Sequence, residues 1–394
     1  MRSIVGPGAR RRRFVGVSAA LIALMLVASP ATAATWSVTR TPNATPFDNV
    51  LWGVDALSPT SAWAVGHADT GTLPTRRPIV QRWNGTSWSS TANPLPPGGG
   101  ELRDVDTLSS SSAWAVGFTN SSVGFDTLIE RWNGSAWSIV PSPNAAGAAQ
   151  NTLLGVRAFS ANDAWAVGSH NVPGTLNFAT LVMRWNGSQW SIVPSPNPEP
   201  AENSLHDVDG VSSNDLWAVG YRLNHPEGVR QSLILHFDGS SWSTVPTPSA
   251  LDATLESVVA LASNDVWAVG WKFSLELLWH VPFALHWNGS AWSEVPIPSP
   301  SPQGGRLFGV AAISGTNVYA VGHSNASGGI PSLVMHWNGS QWNVETTPGR
   351  TTIANLWDAS AAGPSTVFAV GNQAQLRRGI LGPSRTLAIR SANA

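Results

Sequence analysis

The stretch Leu102-Arg103-Asp104-Val105-Asp106, followed by Ala113-Trp114-Ala115-Val116-Gly117, Arg131-Trp132-Asn133-Gly134 and Trp137-Ser138-Ile139-Val140-Pro141-Ser142-Pro143, decides the fold because the chain rewrites it along its length. The Val-Gly that closes its second segment falls at Gly66, Gly117, Gly168, Gly220, Gly270, Gly322 and Gly371, at intervals of 51, 51, 52, 50, 52 and 49 residues. A period near fifty residues is that of a four-stranded propeller blade. Seven copies predict an all-β, seven-bladed β-propeller of four-stranded antiparallel blades.

Each copy reads as four short strands. The first covers residues 102–108 and its equivalents, and a polar turn such as 160–163 follows, where side chains bond their own backbone. The second is the Trp-Ala-Val-Gly segment, whose Gly suits either a positive φ or a close approach of neighbouring backbone. The third ends at Arg131-Trp132, and Asn133-Gly134 is a strong hairpin signal. The fourth starts at Trp137 and ends in Pro-Ser-Pro, where missing amide hydrogens suit an outer edge. Five of the hairpins also read Asn-Gly-Ser/Thr, a glycosylation sequon, and we take them as turns.

The last copy lacks its fourth strand, and residues 36–43 have the form of residues 137–144. The amino-terminal strand is therefore expected to complete blade seven, built from about residues 350–394 plus 35–43, so that no inner edge is left unpaired.

Residues 1–33 read as a signal peptide: Arg10 to Arg13 charged, an apolar run over 14–27, and Ala31-Thr32-Ala33 as the cleavage site. Arg12-Arg13-Phe14 is also compatible with twin-arginine export. The expected mature chain, 34–394, keeps 17 basic and 23 acidic residues, a net charge of −6. With no Cys there is no disulfide or thiol nucleophile, and with Lys272 as the only lysine a cationic nucleic-acid surface is not expected. The processed chain is expected to be a monomer, secreted or associated with the cell envelope, with no integral membrane segment.

The apolar strand, the aromatic-x-Val-Gly segment, the strand ending in Trp-Asn-Gly and the Pro-terminated Trp strand together resemble the kelch repeat over nearly all of residues 35–394. One Gly, as at Gly117, stands where kelch blades usually carry a pair. The Gly134 to Trp137 spacing is also similar to Asp-box and photosystem-assembly-factor propellers, although the Ser-x-Asp-x-Gly-x-Thr-Trp box is missing. Galactose oxidase, a kelch-like enzyme, needs a Cys-linked Tyr that this chain cannot supply.

The chain has 21 tryptophans, most of them at two repeat positions, so they are expected to pack blades together rather than bind ligand. A specific site should break the sevenfold pattern. Asp104, Asp207 and Asp358 occupy the third position of the first strand, and Asp55, Asp106 and Asp209 the fifth. Carboxylates converging on a central channel would suit a hard cation, so no cofactor is expected apart from a possible calcium at Asp104, Asp207 and Asp358. His67 and His323 follow the strand-two Gly, as does Tyr221, in loops of the variable face. Blade five replaces a polar loop by an apolar one containing Trp271, Phe273, Trp279 and His280, which predicts ligand contact there.

The expectation is an exported non-catalytic binding or scaffold module that takes an extracellular glycan or protein on its variable-loop face. The alternative is an extracellular carbohydrate-active enzyme using carboxylates at the channel mouth.

Overall fold

The computed structural model describes residues 34–198, 202–224, 228–326, 329–348, 353–377 and 380–392; the expected signal peptide lies outside them. Among the described residues there are strands and turns and no helix. Blade one is built from Asn49–Ser58, Ser61–Asp69, Arg76–Trp83 and Trp88–Thr91, paired in chain order. Five further blades repeat this order. The innermost strand of each blade packs beside those of its two neighbours, which closes the ring.

Blade seven is assembled from both ends of the chain. Ile353–Ala361, Val367–Ala374 and Arg385–Ala392 supply three strands, and Thr35–Thr39 supplies the outermost. The register pairs Trp36 with Ser391, Ser37 with Arg390 and Val38 with Ile389. The closure expected from the missing fourth strand is therefore present.

Aromatic triads hold the blades together at six of the seven joints. Trp63 of blade one meets Trp132 and Trp137 of blade two at centroid distances of 5.0 and 5.3 Å, and Trp114 meets Trp185 and Trp190 of blade three at 5.1 and 5.2 Å. The edge-to-face component of each triad adds to the large apolar area an indole removes from water. A cation or imidazole caps each inner ring. Arg131 lies 4.8 Å over Trp114, His236 4.2 Å from Trp217, and His336 stacks on Tyr319 at 4.4 Å. At the closing joint Ser391 stands where the other blades have Trp or Phe, so Tyr319 meets Trp36 alone.

The strand-two glycines are explained by close approach rather than by a left-handed backbone. A Cβ on Gly66 would collide with the Val50 carbonyl oxygen of the first strand, and one on Gly117 with that of Glu101. The hairpin glycines do need the left-handed region: Gly134 has φ +94°, and Asn133 Oδ1 accepts from the amides of Ser135 and Ala136 and from the Ser135 hydroxyl. The sequon side chains are thus committed to their own turns.

Candidate functional site

The first strand of every blade carries a bulge at the same place. In blade one Leu51 pairs with Gly66 and Gly53 with Val65, leaving Trp52 as the extra residue. The equivalent bulged residues are Arg103, Leu154, His206, Glu256, Phe308 and Trp357. A bulge re-aims its side chain out of the pleat. These seven side chains line one cavity of about 80 Å³ at the channel mouth, on the face that carries the connections between second and third strands. Around an otherwise repetitive ring, this position changes chemistry from blade to blade.

The mouth has two unlike halves. Trp52, Trp357 and Phe308 form a continuous, half-buried aromatic arc, with centroids 4.8 Å apart for the first pair and 4.6 Å for the second. Trp357 Nε1 donates to Asn372 Oδ1 at 2.8 Å, and Trp52 Nε1 donates to His67 Nδ1 at 2.9 Å. These bonds fix both indoles. The other half is charged: Arg103 lies 4.2 Å over the Trp52 ring with its Nε 2.5 Å from Glu101 Oε1, and His206 Nδ1 is 2.8 Å from Glu256 Oε2. Glu101 is fully buried and is also held by Arg76 at 2.6 Å. Glu256 accepts a second bond, from Trp271 Nε1 at 2.9 Å.

Below the mouth the channel has a volume of about 350 Å³ and is lined by the expected aspartates. They link blade to blade. Asp104 Oδ2 accepts from Val156 N of blade three, Asp207 Oδ2 from Val258 N of blade five and Asp358 Oδ2 from Val54 N of blade one, at 2.8 to 2.9 Å. Their Oδ1 atoms accept from the next amide of their own strand, at 2.7 Å in each case. Asp55, Asp106 and Asp209 make the same interblade bond one level down. Arg157 neutralises that lower tier, 3.1 Å from Asp106 and 2.9 Å from Asp209.

Burial, reinforced by the charge of Asp207, pushes Asp358 up to about 8 against the Val54 amide. Burial likewise pushes Asp106 up to about 7, with Arg157 opposing. Among the described residues no three His, Asp or Glu side chains gather closely enough to hold a metal ion. Calcium at Asp104, Asp207 and Asp358 would have to compete with backbone amides for the same oxygens.

The structure brings some of the expected ligand residues together and separates others. Trp271, Phe273 and His280 form one cluster, with His280 4.5 Å from Trp271 and 5.7 Å from Phe273. Trp271 is only 5% exposed, because it pairs with Thr254 inside the sheet and lies under Arg306 at 4.4 Å. Tyr221 joins this cluster through Arg230, which lies over both rings, and its hydroxyl donates to Glu202 at 3.1 Å. Burial, then Glu202, pushes Tyr221 up to about 12. Trp279 is half exposed at the hairpin end. His67 and His323 sit behind the aromatic arc. Burial lowers both, His323 to about 4, so each is neutral near pH 7.

Likeness to solved structures places the fold among known proteins. No family model matches the chain, and no curated protein matches it. Solved structures do. The chain is similar to YCF48 bound to D1 peptide, at 14% identity and TM-score 0.57, over 93% of this chain and 100% of that one. It is also similar to a PL25 polysaccharide lyase, an ulvan lyase bound to -[GlcA(1-4)Rha3S]-, at 9% identity and TM-score 0.54, over 87% of this chain and 94% of that one. A protein of unknown function from Dyadobacter fermentans matches at 12% identity and TM-score 0.50, over 93% and 100%. At these identities the likeness is one of fold.

Proposed function

We propose that the chain is an exported, non-catalytic binding module that holds an extracellular glycan across the channel mouth. The observation that carries this reading is the bulged ring, in which three adjacent aromatics face a charged arc within one opening. Aromatic faces pack against the C–H faces of sugar rings, while Arg103, His206 and Glu256 offer donors and acceptors to hydroxyls at the ring edge. The mouth is narrow, about 80 Å³, so a sugar would lie across it rather than enter it. The aspartates below act as struts, because their oxygens already accept backbone amides.

The test is a glycan-array screen of residues 34–394 with the Trp52→Ala and Trp357→Ala variants. Binding weakened at least about tenfold by either change, with the fold intact by circular dichroism, is the expected result. A parent protein that binds no glycan overturns the reading and makes a protein ligand the working hypothesis.

One observation favours a second reading, a carbohydrate-active enzyme. With Glu256 on Nδ1 of His206, the imidazole presents Nε2 as a proton acceptor, an arrangement suited to general-base chemistry. Release of reducing or unsaturated ends from polysaccharides, lost in His206→Ala, would move the assignment there.

A further inference from the structure

One position of the third strand is satisfied in the same way around most of the ring. It pairs with the residue that follows the strand-two Gly, and it holds Thr127, Thr180, Ser232, Ser332 and Thr386 in blades two, three, four, six and seven. The amides of Thr127, Thr180 and Thr386 donate to Asn144, Asn197 and Asn43 Oδ1 at 2.7 to 3.0 Å. Their hydroxyls meet those of Ser142, Ser195 and Thr41 at 2.7 to 2.8 Å. The Ser332 hydroxyl bonds that of Thr347 at 3.2 Å. Blades one and five have Pro78 and Pro282 here, with no amide to satisfy.

Blade four breaks this rule. Ser249 stands seven residues after the fourth-strand Trp, where Asn144, Asn197 and Asn43 stand. Ser232 is only 8% exposed, and its Oγ has no hydrogen-bond partner among the described residues. A cavity of about 330 Å³ opens at this place, lined by Ser232, Leu233, Val245, Pro246, Thr247 and Ser249 among others. Arg222, the one charged residue on its wall, donates to Gln231 Oε1 at 2.9 Å.

We propose that this cavity binds an N-acetylated sugar by its acetamido group. Register directs the amide and hydroxyl of Ser232 as it directs those of Thr127, toward the place that the Asn144 carboxamide oxygen fills in blade two. The shorter side chain of Ser249 leaves that place to a ligand. An acetamido group brings the same kind of oxygen, and Leu233, Val245 and Pro246 suit its methyl. The Ser232 donors are neutral, so an uncharged amide oxygen pairs with them without burying a charge. A volume of about 330 Å³ lies within the range of small-molecule sites and takes a sugar ring as well as the amide.

No residue of this cavity lines the channel mouth, so the inference stands apart from the reading of the mouth. Residues 34–394, which contain every strand of the ring, are titrated calorimetrically with N-acetylglucosamine, glucose and glucuronate, as the parent and as Trp357→Ala, so that sugar held at the mouth is read separately. N-acetylglucosamine is expected to bind at least about tenfold more tightly than either other sugar, and equally in Trp357→Ala. Ser249→Asn, which returns the carboxamide found in blades two and three, should melt at or above the parent temperature and weaken this binding at least about tenfold. Ser232→Ala should weaken it about fivefold or more with the fold intact, and decides the matter should Ser249→Asn melt lower. A parent that does not distinguish N-acetylglucosamine from glucose or glucuronate overturns the inference, and so does binding that both variants leave intact.

Discussion

Trp36 of the first strand and Tyr319 of blade six lie 5.8 Å apart with their ring planes at 71°, and through this contact the amino-terminal strand joins blade seven to blade six. Trp36 is 6% exposed and has no third aromatic beside it, so the joint depends on it more than other joints depend on one indole. Trp36→Ala is expected to remove about 3–5 kcal/mol and lower the melting temperature by roughly 5–15 °C. Deleting residues 34–45 should lower it further. A deletion that melts with the parent in calorimetry would show that the ring does not rely on this strand.

Arg157 is the cation between Asp106 and Asp209, and it is over a third exposed, so solvent screens part of its effect. Arg157→Met is expected to destabilise by about 1–3 kcal/mol at pH 8. Asp106 then takes up its proton more readily, so the deficit should shrink as pH falls toward 5. Chemical denaturation of parent and variant at both pH values checks this, and a deficit that grows in acid would refute the pairing.

Asp358 titrates at about 8 when folded and in the ordinary carboxylate range when unfolded. The folded chain therefore holds a proton that the unfolded chain releases. Its contribution is complete below about pH 4 and is lost as pH rises through 8. We expect the parent to melt higher at pH 5 than at pH 8.5, and Asp358→Asn, which cannot ionise, to flatten that slope. Melting curves across the range decide the matter.

Gly117→Ala should cost about 2–4 kcal/mol, because the new methyl meets the Glu101 carbonyl and the bulge beside it cannot relax without moving Arg103. Gly174→Ala, in an open turn with φ +74°, should cost only about 1 kcal/mol. Similar losses for the two would argue against the close approach.

The ring was legible because its signal is written seven times: the strand-two glycines count the blades, and residues 36–43 fit the gap left by the last copy. The packing tryptophans were legible for the same reason. The mouth was not. Nothing in the spacing of Trp52 sets it apart from its neighbours, whereas the bulge makes it the extra residue between Leu51 and Gly53, and it lines the mouth. A bulge leaves little trace in composition. The useful trace was the variation itself, since Trp52, Arg103, Leu154, His206, Glu256, Phe308 and Trp357 share nothing but their place. Trp271 stands elsewhere than its spacing suggests: an aromatic in an apparent loop lies inside a strand pair, where Arg306 covers it.

Closure by Thr35–Thr39 also has a consequence for the order in which the chain is made. Ribosomes deliver Thr35–Thr39 before every other described strand of the ring, yet its partner, Arg385–Ala392, after them all. Blades one to six can pair their strands locally as they emerge, but Trp36 has no strand to join until Arg385–Ala392 has been made. The first residues of the folded ring are the last to find their place, and a chain halted before its final strand remains an open arc.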